Sequence, residues 1–233
     1  MTVGNIDVDQ RDGTVHFCHQ GPGTEGNKEV HVAVGHPVSL AVPPVVYTKH
    51  VASKGNNNIG LLFPACKVAG DGVVYVAYSD GGSAIYMAHS LDQGKTWSPR
   101  VRVSDMGPGS VELAPWIETG EHAGSVAIVW YGSEATENEG GVPGNTDNSN
   151  WRVYYAQTLN ATASNPTVLQ TVASDVVHAA NFSIVGLEVS GGGSNRNLAD
   201  FFQVAVDPAG HALIAYGADS QSGTWKARMA ASG

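Results

Sequence analysis

Charge is scarce in this sequence. Asp, Glu, Lys and Arg together make up 14% of its 233 residues, and Lys and Arg nowhere form a run. With a formal net charge of -9, the chain repels a nucleic-acid backbone or an anionic membrane surface, so no nucleic-acid partner is expected. Long hydrophobic runs are missing too. The longest apolar stretches are about ten residues, short of what a bilayer requires, and no membrane insertion is expected. The chain opens at "MTVGNIDVDQ" without a charged start leading into an apolar segment, so an export signal was either removed or never existed. Low lysine content and the acidic balance suit an extracellular or periplasmic protein.

Cysteine is limited to Cys18 and Cys66, enough for one disulfide and equally ordinary as small core residues. Helical periodicity is absent over any window of eleven or more residues, which leaves a βαβ enzyme without support. The histidines, His16, His19, His31, His36, His50, His89, His122, His178 and His211, lack HExxH or Cys/His ligand spacing. Structural or surface roles are expected of them, and neither a metal nor a cofactor is implied.

Against these absences stand 29 glycines, five Trp and eight Tyr, the composition of a chain with many turns and much sheet. A β-rich chain of this length fits a single domain, residues 1–233. Four related units recur along it: "NIDVDQRDGTVHF" at 5–17, "FPACKVAGDGVVYVAYS" at 63–79, "APWIETGEHAGSVAIVWYG" at 114–132 and "FFQVAVDPAGHALIAYG" at 201–217. Each reads as a strand, a Gly turn and a more apolar strand ending near Tyr or Trp. Third strands follow at "SAIYMAHS", "WRVYYAQT" and "TWKARMAAS", with "KEVHVAV" doing the same in the first unit; fourth strands are expected near 45–51, 99–103 and 168–173. Repeated four-stranded antiparallel units predict an all-β fold, a β-propeller with blades at approximately 5–58, 61–105, 113–175 and 198–231. A β-sandwich is the alternative, but it does not require the same strand grammar four times.

The octet "SLDQGKTW", Ser90 to Trp97, reads as the turn between the third and fourth strands of the second blade. Asp92 is suited to accept backbone amides ahead of it, Gly94 to a left-handed backbone, and Thr96 to tying the turn with its hydroxyl; Trp97 is free to fold between sheets. A calcium loop wants more carboxylates, and a phosphate loop wants clustered glycines before the lysine. The pattern Ser90, Asp92, Gly94, Thr96, Trp97 resembles the Asp-box, or bacterial neuraminidase repeat. Together with "YMAHSLDQGKTWSPRVRVSD" and a degenerate box at "TLNATASNPT", it makes residues 5–230 similar to the exo-α-sialidase-like propellers.

Propeller sites form at the rim where the inner strands start, here Phe63 and Pro64, Ala114 to Trp116 and Asn195 to Phe202. Insertions at 133–150 and 175–197 would overhang this rim, and long polar loops on one face nominate it for binding. The first carries Glu134, Glu137, Glu139 and Asp147 in no recognised metal spacing. In "NRNLADFF", Arg196 is suited to hold a carboxylate and Asp200 to exchange a proton, or the two lock the insertion by an ion pair. The resemblance implies a triad of arginines, a tyrosine nucleophile with a glutamate, and an aspartate acid/base. Of Arg11, Arg100, Arg102, Arg152, Arg196 and Arg228, only Arg196 is well placed; Tyr131 with Glu134 could imitate the nucleophile pair. The arginine motif that opens the first blade of active sialidases is missing.

Sialidase-like propellers close six blades, which at this spacing needs about 300 residues or more. The chain is therefore expected to be either a fragment of a six-bladed propeller or a small open one whose edges meet a partner chain, including a copy of itself. The functional expectation is a noncatalytic module binding a glycan or protein through one loop-rich face. The alternative is an exo-α-sialidase-like glycoside hydrolase, complete only with further blades.

Overall fold

A computed structural model describes residues 3–23, 26–36, 47–55, 58–60, 62–107, 109–133, 138–139, 142–143, 149–179, 198, 202–219 and 225–231. The first sheet holds β1 (Val3–Val8), β2 (Val15–Gly23), β3 (Gly26–Gly35) and β4 (Tyr47–Lys54) in that order. The second repeats the meander with β5 (Ala65–Val68), β6 (Val74–Ser79), β7 (Ile85–Ser90) and β8 (Val101–Arg102).

The third sheet starts with β9 (Val111–Thr119) and β10 (Val126–Ser133). A two-stranded ribbon, β11 (Asn138–Glu139) and β12 (Val142–Pro143), then interrupts the chain before β13 (Asn150–Thr158) and β14 (Leu169–Val172) complete the meander. A short β15 (His178–Ala179) pairs with the start of β13. The last sheet contains β16 (Phe202–Val206), β17 (Ala212–Asp219) and β18 (Trp225–Ala231). All pairings are antiparallel, and the described residues include no helix, hence none able to cross a membrane.

Burial explains why the second strand of a unit is the most apolar. Every residue of β6 and of β10 is buried, because the second and third sheets are covered on both faces. Between them lie Ile85, Met87, Ile117, Ile128, Trp130 and Tyr154, with Trp130 stacked on Tyr154 at 5.8 Å. Cys18, Val30, Val32, Val76 and Tyr78 fill the joint between the first and second sheets, and Leu113, Tyr131, Trp151, Phe202 and Ile214 that between the third and fourth. In β17 the pattern changes to alternation: Ala212, Ile214 and Tyr216 are buried while Leu213 and Ala215 are exposed. One covered face and one open face produce that period of two.

Half-buried polar side chains tie the first sheet to the second. In β1, Asn5 and Asp7 lie on one side of the strand and reach the free edge of β5. The Asn5 amide donates to the Cys66 carbonyl at 2.9 Å, its oxygen accepts from the Cys66 amide at 2.6 Å, and the Asp7 carboxylate accepts from the Val68 amide at 2.7 Å. The chains approach so closely here that a Cβ on Gly4 would lie 2.1 Å from the Pro64 carbonyl oxygen. Asn5→Ala removes two of these bonds and leaves buried backbone groups of Cys66 unmet. A destabilisation of about 1–3 kcal/mol is expected in urea unfolding; an unchanged midpoint would exclude this role for Asn5.

Candidate functional site

The starts of β5, β9 and β16 stand at one end of the sheets. The β6–β7 turn joins this end, since the Glu112 amide donates to the Gly82 carbonyl at 2.7 Å. So does the exit of β2, where buried Gln20 donates to Asn58 Oδ1 at 2.6 Å and to the Ile59 carbonyl at 2.8 Å. Pairing of Asn150 with Ala179 and of Trp151 with His178 brings the entry of the second insertion against the exit of the first. The described ends of the two insertions therefore meet next to Ser133 and Val111.

Backbone strain concentrates at the same end. Among the described residues, Leu62, Phe63, Gln93 and Ala114 are the non-glycine residues with positive φ, at 51°, 70°, 61° and 52°. Leu62 and Phe63 lead into β5, and Ala114 is the fourth residue of β9. A left-handed backbone is costly for side chains as bulky as Leu and Phe and persists only where the surroundings enforce it. Ala114 owes its conformation to a bulge: Val129 pairs with Trp116 and Tyr131 with Leu113, so the register shifts across Ala114 and Pro115. Phe63, Ala114 and Trp116 are half-buried, packed from below by the core shared with Leu62, Leu113 and Phe202.

The chemical candidates distribute unevenly. Glu134, Arg196 and Asp200 lie outside the described residues, as do Asn195 and Phe201. Their neighbours Leu198 and Phe202 are buried in the core. Tyr131 is fully buried and stacked on Phe202 at 4.5 Å. Its hydroxyl donates to the Gly217 carbonyl at 3.3 Å and accepts from the Gly217 amide at 3.1 Å, tying β10 to β17. Burial pushes the phenol's pKa above its ordinary value, with the Gly217 bond opposing. This hydroxyl is used in a joint between sheets.

Three polar groups carry contacts that the sequence did not assign to them. Glu112 is buried at the rim; its carboxylate accepts from the Ile85 amide at 3.2 Å and the Ser110 hydroxyl at 3.3 Å, and the Ser79 hydroxyl donates to its carbonyl at 2.6 Å. Burial raises its pKa, opposed by the Ser104 hydroxyl and the charge of Arg102. Asp80 and Arg100 form the second and third. Arg100, expected on an outer strand, lies just before β8, pairs with Asp80 at 2.7 Å and rests 4.2 Å over the Tyr86 ring. A Glu between Val and Leu in "SVELAPW" was the available signal for Glu112; nothing in the sequence pairs Asp80 with Arg100. Among the described residues no group of His, Cys, Asp and Glu could hold a metal ion.

At the opposite end, the Ser90–Trp97 turn closes as a network around one carboxylate. Asp92 Oδ1 accepts from the Ser90 hydroxyl and from the Thr96 amide, both at 2.8 Å, while Oδ2 accepts from the Thr96 hydroxyl at 2.6 Å. Gly94, at φ 85°, donates its amide to Ser90 Oγ at 2.8 Å, and the Trp97 indole donates to the Gly94 carbonyl at 2.9 Å. Gln93 reaches Asp12 at 2.7 Å, so the turn also braces the first sheet. The third sheet repeats the scheme without a carboxylate: the Thr158 hydroxyl donates to Asn160 Oδ1 at 3.0 Å, which accepts from the Thr167 amide at 2.9 Å.

No family model and no curated protein matches this chain. Solved structures do. An ulvan lyase of polysaccharide lyase family PL25, bound to -[GlcA(1-4)Rha3S]-, is similar at 14% identity and a TM-score of 0.59, over 97% of this chain and 54% of that one. A protein of unknown function from Dyadobacter fermentans is similar at 12% identity and 0.56, over 98% and 52%. A GH43 glycoside hydrolase engineered to display endo-xylanase and exo-arabinofuranosidase activity is similar at 10% and 0.52, over 97% and 36%. The chain spans about half the length of the first two. At such identities the likeness shows the fold alone, and that fold is all-β, four antiparallel sheets as the blades of a partial propeller.

The Asp92 carboxyl is held down at about 2, against an ordinary 3.8, first by the Thr96 hydroxyl and amide. A folded-state value below the unfolded one means stability that is fully present above about pH 4 and lost as pH falls through about 2. Asp92→Asn should lower the melting temperature at pH 6 and flatten its decline between pH 4 and 2. Parallel wild-type and variant profiles down to pH 2 would contradict this.

Proposed function

We propose that residues 1–233 form a single sialidase-like propeller domain that binds a glycan without cleaving it, through the rim at which β5 and β9 begin. The observation that carries this reading is the coincidence of left-handed Leu62, Phe63 and Ala114 with partly exposed aromatic side chains at Phe63 and Trp116. Aromatic faces suit the apolar face of a sugar ring, and strain held by a rigid core is how a site keeps its shape before the ligand arrives. Arg196 and Asp200, two positions on either side of buried Leu198 in the sequence, are the candidate partners for an anionic sugar. The absence of catalysis is argued from Tyr131, whose hydroxyl is engaged with Gly217. The Ser90–Trp97 hydrogen-bond network supports reading that turn as an Asp-box. Two of the similar solved structures are named for carbohydrate chemistry, which agrees with the reading without carrying it. An extracellular or periplasmic location belongs to the same proposal.

Calorimetric titration of the purified chain tests it, using sialyllactose, a sulfated uronate oligosaccharide and a neutral xylo-oligosaccharide. Binding of at least one is expected, weakened at least about tenfold by Phe63→Ala with the circular dichroism spectrum retained. Absence of heat with any of them would remove the glycan, and release of sialic acid from sialyllactose would overturn the noncatalytic assignment.

A further inference from the structure

The chain's two cysteines, on different sheets, meet in one joint. Cys18 belongs to β2 and Cys66 to β5, and both are fully buried among Val30, Val32, Val76 and Tyr78. Their sulfurs share an acceptor, the Asn5 backbone carbonyl, at 3.5 Å from Cys18 Sγ and 3.6 Å from Cys66 Sγ. Cys18 Sγ also lies 3.2 Å from the Pro64 carbonyl and 3.2 Å from Asn5 Oδ1, and Cys66 Sγ lies 3.9 Å from the His16 carbonyl. Both are free thiols in this structure, and the neighbouring Cys18 thiol, followed by burial, raises the Cys66 pKa well above its ordinary value.

We propose that Cys18 and Cys66 are the two halves of a disulfide that staples the first sheet to the second. Two features separate this pair from incidental core cysteines. The sequence contains no other cysteine, and the two face one joint from opposite sheets around the shared Asn5 carbonyl, where the chain is already pinned by Asn5 on Cys66.

The oxidant is a small-molecule disulfide such as oxidised glutathione. One cysteine thiolate attacks it, forming a mixed disulfide and releasing one glutathione thiol. The second cysteine then attacks the mixed disulfide, forming the Cys18–Cys66 bond and releasing the other. The two cysteines lose two protons and two electrons, and the glutathione disulfide gains both. With both sulfurs shielded and the Cys66 proton held, exchange takes place while the joint is open, during folding; closure of the joint then shields the bond from reductants. An oxidising compartment is where such a bond forms and persists.

The test refolds the wild-type chain from denaturant in a buffer of oxidised and reduced glutathione, denatures it again without reductant, alkylates it and records the intact mass. The expected result is a monomer lacking two hydrogens and carrying no alkyl adduct, which gains two adducts only after reduction. The oxidised form should melt about 5–10 °C above the reduced one, and Cys18→Ser should abolish that difference. Two alkylated thiols in protein that has refolded with a cooperative melt would overturn the proposal, as would a disulfide found only between chains. Neither result depends on glycan binding.

Discussion

A sheet packed on both faces still ends in strand edges whose amides and carbonyls need partners, and in a stack of such sheets those partners must come from the neighbouring sheet. This chain meets the requirement with side chains that cross each joint and bond to backbone. Asn5 and Asp7 cross from the first sheet to β5, Ser79 and Glu112 bind the second to the third, and Tyr131 holds the third to the fourth. Apolar packing around these bonds drives the sheets together without direction. The polar contacts fix how far each sheet slides along the next, because a shift of one residue would leave them all unmet.

Seen from the joints, the chemistry of the rim divides in two. Glu112 and Tyr131 have the residue types of catalysis, yet their polar atoms are engaged by neighbouring backbone and hydroxyls. What is left partly exposed is different in character: the Phe63 and Trp116 side chains, on a backbone bent by a bulge and by left-handed residues. Rigid sheets beneath it supply the fixed platform on which longer insertions can vary.

The strands were legible because local chemistry specifies them. Alternation and Gly turns located the four sheets, and the octet from Ser90 to Trp97 disclosed its hydrogen bonds since every partner lies within a few residues. At Thr158 and Asn160 two bonds of the same kind recur. The joints were opaque for the opposite reason. Tyr131 finds Gly217 86 residues along the chain, and Asn5 finds Cys66 61 residues along. Such pairs depend on which sheets become neighbours and in what register, and no spacing in one sequence encodes that. The β11–β12 ribbon was missed as well, since its two-residue strands fall below any periodicity.

The joints also set how the molecule comes apart. Each connects sheets consecutive in the chain, and among the described residues the main strand contacts between sheets do the same, so the stack approximates a one-dimensional array. The second and third sheets are supported from both sides, whereas the first and last present open faces carrying Ile6 and Leu213. Opening begins at those ends and travels inward. Amides in β17 exchange with solvent through fraying of a single interface, while those in β6 and β10 wait for two interfaces to fail, which makes the middle of the chain its slowest-exchanging part.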